Sequence, residues 1–102
     1  MMRGLGIFVA KGKTYNKARF TACSGSVRRY LKFKENRKYI FTLDAEISTG
    51  SVTAELLDSR KNVVFTLTDG DREGVLYPEA YERYLLIIRL RKAGGKYELI
   101  WT

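Results

Sequence analysis

The 102-residue chain contains no histidine, a single cysteine and a single proline. Without histidine, Ser-His-Asp and Cys-His catalysis are excluded, as is the commonest zinc ligand. One cysteine makes no internal disulfide and holds no cysteine-bound metal cluster. Cys23, beside Ser24-Gly25 and with no C-x-x-C partner, reads as a small buried or half-buried side chain. No segment approaches the ~18 consecutive apolar residues that span a bilayer. A signal peptide is lacking too, because the apolar stretch Gly4–Ala10 holds two glycines and stops at Lys11. Phe20-Thr21-Ala22-Cys23 has the outline of a lipoprotein cleavage site, but the polar, basic Thr14–Arg19 precedes it where a hydrophobic stretch is required. The chain therefore reads as cytoplasmic, or as the mature part of an exported protein.

What is present is apolar and basic. At 45% hydrophobic and 13% aromatic residues, the chain is too apolar for disorder. Its length suits a single domain over residues 1–102, with 1–14 as a loosely attached N-terminal segment. The charge is uneven. Residues 1–40 hold 11 basic side chains against Glu35 and carry a net +10, whereas 41–102 carry −2. This asymmetry points to one basic surface that attracts polyanions, whether nucleic acid, anionic lipid or a cell-envelope polymer.

The dominant sequence period is two, the signature of half-buried strands. Tyr39, Phe41, Leu43, Ala45 and Ile47 alternate with polar residues, and Ser48-Thr49-Gly50 reads as a turn before Val52, Ala54 and Leu56. Asp58–Asn62 is the next turn, then a strand over Val63–Thr68 and a loop over Asp69–Gly74. Ala93-Gly94-Gly95 reads as a type I′ hairpin turn between Tyr84–Arg91 and Lys96–Thr102, setting Leu90 against Leu99, Ile88 against Trp101 and Arg91 against Glu98. Ala18, Phe20 and Ala22 mark one earlier strand, and Val27, Leu31 and Phe33 another, with Arg29 on its inner face; Leu5–Ala10 adds a short edge strand. Ser24-Gly25-Ser26-Val27 echoes Thr49-Gly50-Ser51-Val52. A single helical turn is expected near Pro78–Leu85. Seven or eight strands with turns every 8–12 residues predict an all-β fold, a single antiparallel β-sandwich of jelly-roll type.

Four stretches carry a resemblance: Lys38–Leu43, Thr49–Asp58, Tyr84–Ile88 and Ala93–Trp101. In layout they resemble small exported β-sandwich modules of Gram-positive bacteria, of the pre-peptidase C-terminal type, and small lipoproteins. The resemblance covers roughly residues 15–102 and rests on turn and core residues. It implies a non-catalytic module at the cell surface or beside a secreted enzyme.

The leading candidate site is anion-binding. Arg28, Tyr30, Lys32 and Lys34 project from one strand face, with Lys17 and Arg19 on a neighbouring strand and Arg37 and Lys38 at the following turn. Cations around an exposed tyrosine also suit single-stranded nucleic acid, so a cytoplasmic nucleic-acid-binding β-barrel is the alternative. A protein partner is a third. Asp69, Asp71 and Glu73 match part of a calcium loop, although its twelfth position is Ala80 rather than glutamate. Tyr77, Tyr81 and Tyr84 are candidates for a ligand groove, against simple packing at the end of the fold. Asp44 and Glu46, with Glu55 across from them, are the one carboxylate set with tolerable spacing for acid–base work, but they lie on an outer face. No cofactor is implied. The sequence reads best as a non-catalytic binding module with an anionic partner.

Overall fold

A computed structural model describes residues 3–11, 15–68, 70–79 and 82–102, the first of these segments by its backbone alone. Six strands are seen among them: β1 (Arg3–Lys11), β2 (Tyr15–Lys32), β3 (Tyr39–Leu57), β4 (Val63–Leu67), β5 (Glu73–Leu76) and β6 (Arg83–Trp101). All pair antiparallel in one sheet ordered β1-β2-β6-β3-β4, and β5 joins the other end of the β3 edge that β4 occupies. The all-β antiparallel expectation holds. Among the described residues the strands number six rather than seven or eight and form one continuous sheet, so the expected jelly-roll-like sandwich is not seen there.

The difference has one cause. Three stretches that read as reversals are bends inside long strands. Ala93-Gly94-Gly95 does not close a hairpin, because β6 runs straight through it. Ser48-Thr49-Gly50 lies within β3, and Ala22–Gly25 within β2. These irregularities align across the sheet: Phe20 and Ile47 both pair with Gly95, Cys23 pairs with Ala93 and Thr49 with Gly94. Bulges bend and twist a strand, and three side by side bend a whole sheet. The conformations fit, with positive φ at Ala22, Gly25, Gly50, Lys92 and Gly95. Hydroxyls serve the backbone groups that the bend displaces. Ser48 Oγ donates to Gly94 O at 3.0 Å, and Lys92 N donates to Ser24 Oγ at 3.0 Å. The echo between the two Gly-Ser-Val stretches marks a positive-φ glycine, Gly25 or Gly50, at the bend of each strand.

The bend folds the sheet's inner face onto itself. A proximal half holds β1, β5, β2 up to Phe20, β3 up to Ile47 and β6 from Gly95; a distal half holds β4 and the remainder of the three long strands. Arg29 of the distal half stacks over the proximal Trp101 ring at 5.2 Å and donates to Tyr15 O at 2.9 Å. Phe65 of β4 meets Phe41 at 5.1 Å, and Phe33, where the chain crosses between the halves, lies 6.3 Å from Phe41 and 5.9 Å from Tyr84. Phe41, Leu43, Ala54, Leu56, Ile88 and Leu99 are fully buried between the halves. Such burial removes about 1.5–3 kcal/mol of apolar hydration cost for each large side chain.

The true reversals differ in chemistry from the bends. At Asp58–Asn62 the carboxylate Oδ1 accepts from both Arg60 N and Asn62 N at 2.9 Å, so the turn is capped by its own first residue. Thr68 Oγ1 plays the same part after β4, accepting from Gly70 N and Asp71 N. Near 78–85 no helix forms among the described residues. Glu82 N donates to Glu79 O, and β6 starts at Arg83; Ala80 and Tyr81 lie outside the described residues.

Candidate anion-binding surface

Alternation leaves each half of the sheet with an outer face. On the distal half, register stacks four rows across β2, β6 and β3. These are Lys32 beside Arg83; Tyr30, Leu85 and Leu57; Arg28, Ile87 and Glu55; and Ser26, Arg89 and Thr53. The second row continues to Val63 of β4, giving an apolar band four strands wide. Tyr30 is 64% exposed, and the Arg83 guanidinium sits 5.1 Å from its ring centroid. Such a cation–π contact contributes about 0.5–1 kcal/mol at an exposed site and holds both groups in place. Ile87 also points outward, yet it is buried between its neighbours Arg28 and Glu55. Long charged side chains commonly cover apolar surface with their stems while their heads stay in water.

The charge on this face is one-sided. Arg28, Lys32, Arg83, Arg89 and, at the bend, Arg91 occupy its outward strand positions, and Glu55 is the carboxylate among them. Arg89 Nη1 donates to Glu55 Oε1 at 3.1 Å. Arg91 does not face Glu98, because the bend replaces the expected hairpin; it pairs with Ser51, and Glu98 pairs with Lys17 and Asp44.

The proximal outer face is balanced instead. Lys17, Glu98 and Asp44 form one row, and Arg19, Lys96 and Glu46 the next. Lys96 Nζ lies 3.5 Å from Glu46 Oε2, and Lys17 Nζ lies 5.6 Å from the Tyr15 ring centroid. These six residues line a shallow trough together with Ala18 and Tyr97. Three cations meet three carboxylates there, so the single basic surface read from the N-terminal half is divided. Arg28, Tyr30 and Lys32 come together, while Lys17 and Arg19 sit beyond the bend among acids. Lys34, Arg37 and Lys38 lie on the crossing loop, where Arg37 pairs with Glu35 at 3.0 Å and stacks on Tyr39 at 3.8 Å. Arg83, Arg89 and Arg91 join the distal face from β6. Sequence reading missed them because they lie more than 50 residues from Arg28 along the chain, and one was already matched with Glu98.

The remaining candidates disperse. Asp69 lies outside the described residues. Asp71 is in the β4–β5 connection and Glu73 begins β5, and among the described residues no three His, Cys, Asp or Glu side chains gather as a metal site. Tyr84 belongs to the core; its hydroxyl accepts from Glu79 N and donates to Glu82 Oε2, and burial raises its pKa. Hydrogen bonds from Ser59 and Tyr84 hold the Glu82 carboxyl below its usual range. Tyr77 is exposed while Tyr84 is buried, so these two line no common groove, and Tyr81 lies outside the described residues. Asp44 and Glu46 stand on the proximal face, while Glu55 is on the distal one. Cys23 is fully buried, which pushes its thiol pKa up. One polar pair lies inside: Asn16 Nδ2 donates to Tyr97 Oη at 3.0 Å, Asn16 Oδ1 has no partner, and burial holds the Tyr97 phenol protonated far above its ordinary range.

No protein-family model matches the chain, and no curated protein matches it. Among solved structures it is similar to accessory secretory protein 1, 2 and 3 of Streptococcus pneumoniae, with TM-score 0.47, 10% identity and coverage of 96% of this chain and 85% of that one. A second is the glycosylation-associated Gap123 complex of Streptococcus agalactiae, with TM-score 0.46, 11% identity and coverage of 96% and 39%. Likeness at this level assigns neither a family nor a role.

Proposed function

We propose that this chain is a non-catalytic binding module and that the distal outer face takes an anionic partner. The observation that carries the reading is the arrangement around Tyr30. Its exposed ring carries Arg83, and Lys32 and Arg28 stand in the rows on either side. Anions in water are desolvated at a cost, and several cations converging on one apolar band recover more of that cost than scattered ones do. A bacterial cell-surface setting, which the resemblance to exported sandwich modules implies, belongs to the same proposal.

Single-stranded nucleic acid fits less well. Binders of that class use several stacking platforms, whereas this face offers one tyrosine with a guanidinium already over it. The sheet is also not closed, since its outer strands β1 and β4 do not pair with each other.

The reading is tested by following backbone amide shifts while titrating labelled protein with polyglutamate, teichoic acid and single-stranded DNA at two salt concentrations. Shifts centred on Arg28, Tyr30, Lys32, Arg83 and Arg89 that weaken with salt are expected, with at least tenfold weaker binding for Arg28→Glu. Lys17→Glu should change little. Shifts confined to the proximal face, or weak uniform shifts with all three polymers, would overturn it.

A further inference from the structure

The same half of the sheet has a second unusual feature. β1 covers the outer edge of β2 only from Asn16 to Ser24, where Arg3 sits opposite Ser24. From Gly25 to Lys32, β2 pairs with β6 on one side, and among the described residues no strand lies on the other. That edge is eight residues long, Gly25 to Lys32, so about half of its backbone N–H and C=O groups point away from the sheet. Exposed edges are templates for strand addition.

We infer that the Gly25–Lys32 edge of β2 takes an extended acidic segment of a partner protein as an added strand. The inference rests on the distal face being the binding surface and names its partner. Charge selects the occupant. The outward side chains of this edge are Arg28, Tyr30 and Lys32, and Arg83 of β6 lies beside Lys32. A second copy of the same edge, aligned antiparallel, would set arginine and lysine against arginine and lysine along the seam. Like charges directly opposite are destabilising, so self-pairing is disfavoured. A strand with carboxylates at every second position meets cations instead. Its intervening residues would continue the inner face beside Val27, Leu31 and the stem of Arg29, whose guanidinium is already engaged by Tyr15 O and the Trp101 ring, and so should be apolar. The motif expected is therefore acidic–apolar alternation over about seven residues, because strand side chains alternate between faces.

The test uses the full chain with a capped nine-residue peptide of alternating glutamate and valine. The expected result is amide shifts along Val27–Lys32 and at least tenfold slower hydrogen exchange at alternate amides of that stretch. The same peptide N-methylated at alternate residues should bind at least tenfold more weakly, as should a version with lysine for glutamate. Arg28→Glu combined with Lys32→Glu, both exposed, should reverse that preference in favour of the lysine peptide. If the N-methylated peptide binds as tightly as the parent, or if only polyglutamate or DNA binds, strand addition is wrong while the anionic face stands. If no anion shifts the distal face at all, both readings fall.

Discussion

Replacing Gly95 tests the bend that organises the molecule. Gly95 has φ +138°, and an added Cβ would overlap the Glu46 carbonyl oxygen on β3. An L-residue in such a region costs about 1–3 kcal/mol. Moving β3 away to relieve the overlap sacrifices a ladder hydrogen bond of about 0.5–1.5 kcal/mol. The lower entropy of the unfolded alanine chain returns about 0.4–1 kcal/mol. Gly95→Ala should therefore cost about 2 kcal/mol, within the ~0.5–4 kcal/mol these terms span, out of the ~5–15 kcal/mol expected for a domain of this size. At ~4–8 °C per kcal/mol, a loss of about 2 kcal/mol lowers the melting temperature by ~8–16 °C. Gly70 is the control, since a Cβ there meets nothing nearer than Thr68 Oγ1 at 3.9 Å, and Gly70→Ala should stay within about 0.5 kcal/mol. The decisive variant is Gly95→Asn. In a type I′ hairpin turn asparagine is welcome, because it tolerates the left-handed well near φ of about +50 to +70°. At +138° it gains no such relief and should be as damaging as alanine. Urea denaturation and thermal melts of the three variants give the answer. If asparagine recovers most of the alanine loss, Gly95 sits in a tight turn and the continuous β6 is wrong.

Three further outcomes are expected. Lys92 holds φ +46° without being glycine, so Lys92→Gly should stabilise the protein by about 0.5–1 kcal/mol in urea denaturation. Phe33→Ala should cost about 3–4 kcal/mol, because the ring is buried where the halves meet, whereas truncating the exposed Tyr77 should be nearly neutral in the same assay. The Tyr97 phenol has its pKa raised by burial, so the folded state holds that proton more tightly than the unfolded chain does. The corresponding stability is complete below the ordinary tyrosine value of about 10 and is lost as pH rises above it. Denaturation midpoints should fall less steeply above that pH in Tyr97→Phe than in the parent.

Much of this was legible along the chain, and one kind of error explains most of what was not. Each long strand changes the parity of its buried positions at the bend. In β2 they run Asn16, Ala18, Phe20 and then Cys23, Leu31; in β3 Phe41, Leu43, Ala45 and then Val52, Ala54, Leu56; in β6 Tyr84 to Leu90 on even numbers and then Ala93 to Trp101 on odd ones. One shift of parity lets a strand pass through a bulge and keep the same face inward. A glycine between two alternating runs looks the same in a hairpin and in a bulge, so local chemistry left the choice open. What separates them here is an acceptor: Asp58 and Thr68 cap the real turns, while the bends borrow serine hydroxyls from neighbouring strands.

The division between sequence and tertiary structure follows from the range of the forces involved. Alternation, composition and turn residues are local, so the all-β class, most of the buried side chains, the β3–β4 turn and the shared outward face of Arg28, Tyr30 and Lys32 were determined by the sequence itself. Cross-strand register is not local. Only the folded sheet decided that Lys17 and Arg19 would share a face with Asp44, Glu46 and Glu98, and that Arg83 and Arg89 would complete the distal face. Only it decided that, among the described residues, no strand would cover the second half of β2 on its outer side. A charge acts on its neighbours in space, and the bend chooses those neighbours.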